Sequence, residues 1–192
     1  MPNPIAAIYL DNGKIIRIEL LPQAAPNTVN SFLYAARHKI FDDHAIERIV
    51  PEDWIDVSYT GFGKPEGQYL IPNEFRLHPE AEPLDSDFGC VCMGGDGDRC
   101  LSGCEFFFPL RPCPEHKGMY PVFGRVIEGK EELLRLKSLE LEPVHLEEFP
   151  QVKINRPVIP QKIVKVEIEL FGQEYPDPVL FQPEDPQNKA CE

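Results

Sequence analysis

The chain has 192 residues, with 19 Lys and Arg against 32 Asp and Glu for a formal net charge of −13, and hydrophobic residues make up 42%. That balance fits one soluble globular domain able to bury a core without staples. The acidity argues against nucleic acid and anionic membrane, which both recruit basic faces, no apolar run approaches the ~18 residues of a membrane span, and 21 prolines favour strands, turns and loops.

The opening residues lack the basic segment and cleavage site of an export signal, so a cytoplasmic location is expected. Ile5–Leu10 and Lys14–Leu20 flank Asp11-Asn12-Gly13, and Asn-Gly is a strong hairpin signal. Ile16, Ile18 and Leu20 alternate with Arg17 and Glu19, which predicts a strand with one buried face. A helix follows, with Pro26-Asn27-Thr28 supplying capping side chains and Val29, Phe32, Leu33 and Ala36 recurring at helical spacing. Short apolar runs at Ala45–Val50 and Trp54–Tyr59 precede a Gly/Pro-rich stretch, Thr60–Gly67. Strand-like pieces recur at Gly89–Met93, Glu105–Leu110 and Pro121–Val126. Gly129 leads into a second helix with Leu133, Leu134 and Leu136, and Ile163–Leu170 reads as a last strand. From 171 to 192 the chain turns Pro-, Gln- and acid-rich, the composition of an extended arm or disordered tail. The expected organisation is therefore a domain over 1–170 and an extension over 171–192.

Six cysteines stand at 90, 92, 100, 104, 113 and 191. They lack the paired C-x2-C knuckles of a structural zinc site, and no export signal favours disulfides. Cys90 and Cys92 share a strand face and read as buried thiols. Cys100, Cys104 and Cys113 fall in loop-like sequence, which leaves a redox- or metal-responsive reading open. Asp96-Gly97-Asp98 lacks the rest of a calcium loop, and Asp42-Asp43-His44 reads as a turn before a strand.

Five ordered blocks carry a family resemblance. They are Ala25-Pro26-Asn27-Thr28-Val29-Asn30-Ser31-Phe32, Ile46-Glu47-Arg48-Ile49-Val50-Pro51, Ile71-Pro72-Asn73-Glu74-Phe75, Ser102-Gly103-Cys104-Glu105-Phe106-Phe107-Phe108, and Val122-Phe123-Gly124-Arg125-Val126-Ile127-Glu128-Gly129. Together they resemble a divergent cyclophilin-type peptidyl-prolyl cis/trans isomerase over about residues 5–170. The resemblance implies a mainly β fold, a closed eight-stranded antiparallel β-barrel capped by two α-helices. Many short strands and two helices point the same way, with an open α+β sheet as the alternative.

The implied activity is rotation of X–Pro bonds, which resist rotation because the C–N bond has partial double-bond character. In the twisted transition state the nitrogen gains a lone pair, and a fixed guanidinium that donates to it stabilises that state selectively. By resemblance Arg48 is that guanidinium. Phe107 is the floor of the proline pocket, with Met93 and Trp54 beside it. Adjacent strand residues face opposite sides, so Phe106 should be core.

The departures fall at the site. Asp56 stands where the family has an amide, and Glu105 where it has Gln, so two carboxylates approach the guanidinium. Gly94 and Gly95 replace a substrate-binding Ala-Asn pair, His116 falls at an apolar wall position, and Tyr120 at a rim His position. These changes imply weak binding of cyclosporin-like ligands. They also imply a negative rim, with Asp53, Asp96 and Glu115, that favours basic or neutral peptides. The expected partners are proline-containing peptides or client proteins, with no nucleic acid and no membrane, and the expected state is monomeric. No cofactor and no metal is implied. The rival reading is a peptide-binding module whose Arg48 is neutralised by Asp56 and Glu105.

Overall fold

In a computed structural model, residues 1–57, 64–144 and 154–183 are described. The predicted hairpin forms as β1 (Ile5–Leu10) and β2 (Ile15–Leu20), with Gly13 at φ +79° in the turn. Helix α1 (Pro26–Arg37) follows, then β3 (His44–Ala45), β4 (Arg48–Val50), β5 (Trp54–Asp56) and β6 (Leu70–Pro72). A four-residue helix α2 (Glu74–Leu77) leads by a long connection to β7 (Cys90–Gly95), β8 (Cys100–Pro109) and β9 (Val122–Glu128). Helix α3 (Lys130–Lys137), β10 (Leu141–Val144), β11 (Ile154–Pro157) and β12 (Lys162–Glu169) complete the order.

All pairings are antiparallel. Ten strands form one sheet in the order β3-β12-β1-β2-β9-β7-β8-β5-β4, with β6 also on β8, while β10 and β11 pair separately and β11 lies beside β4. The architecture is mainly β and barrel-like, as expected. Its pairing path runs from β3 to β4 without joining them, so among the described residues it is a curled sheet, not a hydrogen-bonded ring. Among the described residues there are three α-helices where two were expected, the extra one being α2.

Helix α1 covers one mouth of the curled sheet and drives Phe32 into it. The Phe32 ring lies 5.1–5.4 Å from those of Phe41, Phe106 and Phe123, all fully buried. The predicted side-chain cap on α1 is not made, since Ala25 occupies the N-cap. Instead the buried Glu74 carboxylate accepts from the Asn27 and Thr28 amides at 3.2 and 2.8 Å, and from the Thr28 hydroxyl at 2.6 Å. A negative group at a helix N-terminus satisfies orphan N–H donors and complements the dipole.

Cys100 and Cys104 lie in β8, not in a loop, and five of the six cysteines are buried and unbridged. The run tolerates Ser102-Gly103 as strand because Gly103 sits against the Tyr69 ring, where any side chain would collide. Beyond Leu170 the chain crosses α1. Val179 and Asn27 exchange hydrogen bonds, Asp177 pairs with Arg37 at 3.2 Å, and the Phe181 amide donates to Leu70 O at 2.8 Å. The end of the predicted strand at Ser58-Tyr59, the first half of the Gly/Pro-rich stretch that follows, and residues 184–192 with Cys191 lie outside the described residues.

Candidate functional site

One ladder row builds the site. Arg48 on β4 pairs with Asp56 on β5, Asp56 with Phe107 on β8, and Phe107 with Cys92 on β7. Residues directly opposite in a ladder share a face, and Phe106 and Phe108 take the other side into the core. Arg48, Asp56 and Phe107 thus stand side by side on the outer surface of the curled sheet. Trp54, two residues before Asp56, joins them on the same face, and the Arg48 guanidinium carbon lies 5.6 Å from its ring centroid.

The connection between β8 and β9 folds over this row. His116 and Tyr120 put their rings edge-on against Phe107, at 5.4 and 5.7 Å, and against each other at 5.1 Å. Trp54 lies 5.8 Å from His116. Beneath Phe107, Cys90, Cys92 and Val122 fill the floor. Asn73 ties the surrounding loops together: its buried side chain donates to the carbonyls of Gly97, Gly118 (3.3 Å) and Met119 (3.0 Å).

The result is an open groove of about 640 Å³. At one end Phe107, Trp54, His116 and Tyr120 form an aromatic-walled socket. At the other, Gly94, Gly95, Asp96, Ser102, Glu105 and Leu70 form a more polar trough. Gly95 has φ +128°, and a Cβ there would press on Leu101 Cα at 2.8 Å, so only glycine keeps the trough floor. Arg48 sits between the two ends.

Of the ten residues expected at the site, nine line this groove: Arg48, Trp54, Asp56, Gly94, Gly95, Glu105, Phe107, His116 and Tyr120. Met93 does not. It is fully buried in the main core, on the opposite face of β7 from Cys92. Leu70 and Ser102, paired across β6 and β8, line the trough without having been expected. Asp96 faces the groove as anticipated, whereas Asp53 and Glu115 grip Arg111 at 2.7 and 2.8 Å beside the socket.

Arg48 Nη1 donates to Asp56 Oδ2 at 3.1 Å, with both side chains mostly buried at 17% and 14% exposure. Burial pushes the His116 imidazole below its ordinary pKa and the Tyr120 phenol above its own. Near neutral pH, therefore, the socket holds a neutral imidazole and a protonated hydroxyl. The guanidinium is a cationic donor at the groove, paired with Asp56 and sharing its lining with Asp96 and Glu105. An aromatic socket with one held guanidinium at its edge suits an apolar ring attached to a polar backbone.

The sequence model described as cyclophilin type peptidyl-prolyl cis-trans isomerase/CLD matches residues 6–168. The chain belongs to the cyclophilin family. It is 30% identical over 133 residues to a peptidyl-prolyl cis-trans isomerase-like 2 of Cryptococcus neoformans, covering 67% of this chain and 22% of that protein. It is also 30% identical over 147 residues to a peptidyl-prolyl cis-trans isomerase of Arabidopsis thaliana, covering 72% of this chain and 84% of that one. The chain thus spans about a fifth of the first relative and most of the second. A cyclophilin-type structure from Cryptosporidium parvum superposes with a TM-score of 0.68 at 18% identity, covering 88% of this chain and 98% of that one. A second structure of that protein was solved in the presence of the dipeptide Ala-Pro.

Proposed function

We infer that this cyclophilin is a peptidyl-prolyl cis/trans isomerase acting on exposed X–Pro bonds, with Arg48 as the catalytic donor. The observation that carries this is the shared ladder row of Arg48 and Phe107. It fixes a guanidinium beside an aromatic-walled socket. With the ring seated on Phe107 between Trp54, His116 and Tyr120, the prolyl nitrogen lies toward Arg48. A hydrogen bond that forms only as the nitrogen pyramidalises lowers the barrier without holding the planar ground state. Backbone groups of Gly94 and Gly95 on the trough floor are placed to meet the residues flanking proline.

The reading extends to a cytoplasmic isomerase that assists the folding of client proteins, working as a monomer. Residues 171–192 are an extension to its 1–170 domain. Among the described residues no helix is long and apolar enough to cross a membrane. No cofactor enters this chemistry, which breaks no covalent bond.

One observation favours a second reading, a binding module without turnover: the Arg48–Asp56 ion pair engages the donor before any substrate arrives. A protease-coupled isomerisation assay on a proline tetrapeptide separates the two. Catalysis above the spontaneous rate supports the enzyme. Peptide binding by calorimetry with no acceleration supports the module.

A further inference from the structure

The segment Cys113-Pro114-Glu115-His116 gathers three different metal-ligating groups, of which only His116 also lines the groove. Cys113 Sγ, a Glu115 carboxylate oxygen and a His116 ring nitrogen all lie within 4.8 Å of one another. A second observation concerns the same ring. His116 is only 7% exposed, and its Nδ1 is buried with no hydrogen-bond partner among the described residues. A buried polar atom left unsatisfied costs about 1–3 kcal/mol, so a ligand that supplies its partner is favoured there.

We propose that Cys113, Glu115 and His116 form a binding site for a borderline-soft divalent cation of the Zn²⁺ class. Thiolate, imidazole and carboxylate are the donor set such ions take, three protein ligands with water in the fourth position. Bonds of about 2.0–2.3 Å place tetrahedral ligands about 3.3–3.8 Å apart, so side-chain rotations of about an ångström close the site. Cys113 is fully buried while Glu115 is exposed, which gives the ion an entrance on the Glu115 side.

The charged groups acting on the thiol are mixed: Asp53, Asp87 and Glu115 favour a cation, while Arg111 opposes them. Burial and these carboxylates raise the Cys113 thiol above its ordinary pKa, with Arg111 acting against them. Coordination displaces the thiol proton to solvent, now hydrogen-bonded to Arg111 O at 3.4 Å. The ion also competes with Arg111 for Glu115. Because the His116 ring packs on Phe107, Tyr120 and Trp54, a bound ion fixes one wall of the groove.

The test is calorimetric titration of the chelator-treated full chain with Zn²⁺, and with Co²⁺ for its thiolate charge-transfer absorption. The wild type is expected to bind one ion, with a matching change in emission from Trp54, the chain's single tryptophan. Cys113→Ser is expected to weaken Zn²⁺ at least about 100-fold and to abolish the cobalt–thiolate band. Glu115→Gln, at an exposed position that does not endanger folding, is expected to weaken Zn²⁺ about 10-fold. It decides the matter if the serine variant does not fold. No one-to-one complex in the wild type, or undiminished affinity in both variants, overturns the site.

Discussion

Where the family pattern carries an amide, Asp56 puts a carboxylate 3.1 Å from Arg48 Nη1. An ionised carboxylate only accepts, so it holds the guanidinium still and, in the proposed mechanism, competes with the prolyl nitrogen for its protons. Charge-assisted hydrogen bonds exceed neutral ones by about 1 kcal/mol. Asp56→Asn keeps an acceptor but removes that excess, and kcat/KM is expected to rise about 5-fold; an unchanged or lower value would show that the carboxylate serves only to orient Arg48. The family resemblance brought this pair together in the sequence, and the structure shows how: Arg48 and Asp56 are cross-strand partners of β4 and β5. Met93 is instructive in the opposite sense. Cys90 and Cys92 on one strand face force Met93 to the other, and the structure makes that other face the main core. The family resemblance pointed away from that.

At the scale of the elements, the alternating apolar residues of β1, β2 and β12 and the spacing of α1 are readable because each buries one regular face. The carboxylate that caps α1 is not readable, because Glu74 reaches Thr28 from 46 residues away, and no local pattern encodes that contact. Pro26-Asn27-Thr28 looked self-capping, yet the buried Glu74 supplies the acceptors. Glu74→Ala leaves the Thr28 hydroxyl and two amides without partners in a buried place. A loss of about 3 kcal/mol is expected, seen as a fall in Tm of about 6–12 °C. A Tm within 2 °C of wild type, within the spread of surface changes, would mean the helix end is satisfied otherwise. Leu70 and Ser102 escape the sequence for a related reason, since β6 joins the groove only through its pairing with β8, and β6 is too short to announce itself.

For the whole molecule, the net charge of −13 acquires a direction from the groove, whose lining holds Asp56, Asp96 and Glu105 with Arg48. A field of that sign steers cationic peptides inward and repels acidic ones, more strongly at low ionic strength. Lys-Pro peptides are therefore expected to exceed Glu-Pro peptides in kcat/KM at low salt, with the ratio shrinking as salt rises. Equal turnover at low salt would remove the steering. Acid stability follows from the imidazoles. His44 is held down to about 4, chiefly by burial, and His116 is also lowered. Their neutral forms favour the fold, so stability is fully present above the ordinary His pKa near 6.5. It is lost as pH falls through the lowered values, between about 6.5 and 4. His44→Gln is expected to flatten the decline of Tm across that window, and an unchanged slope would assign it to other groups. The central claim is that Arg48 turns a proline-binding groove into an isomerase. It is tested most directly by exchange NMR on an X–Pro peptide at equilibrium, with catalytic amounts of protein. The wild type should accelerate cis/trans exchange, and Arg48→Ala should lose about 100-fold of that catalysis while still broadening the peptide signals by binding. Equal exchange catalysis by the wild type and Arg48→Ala would contradict it.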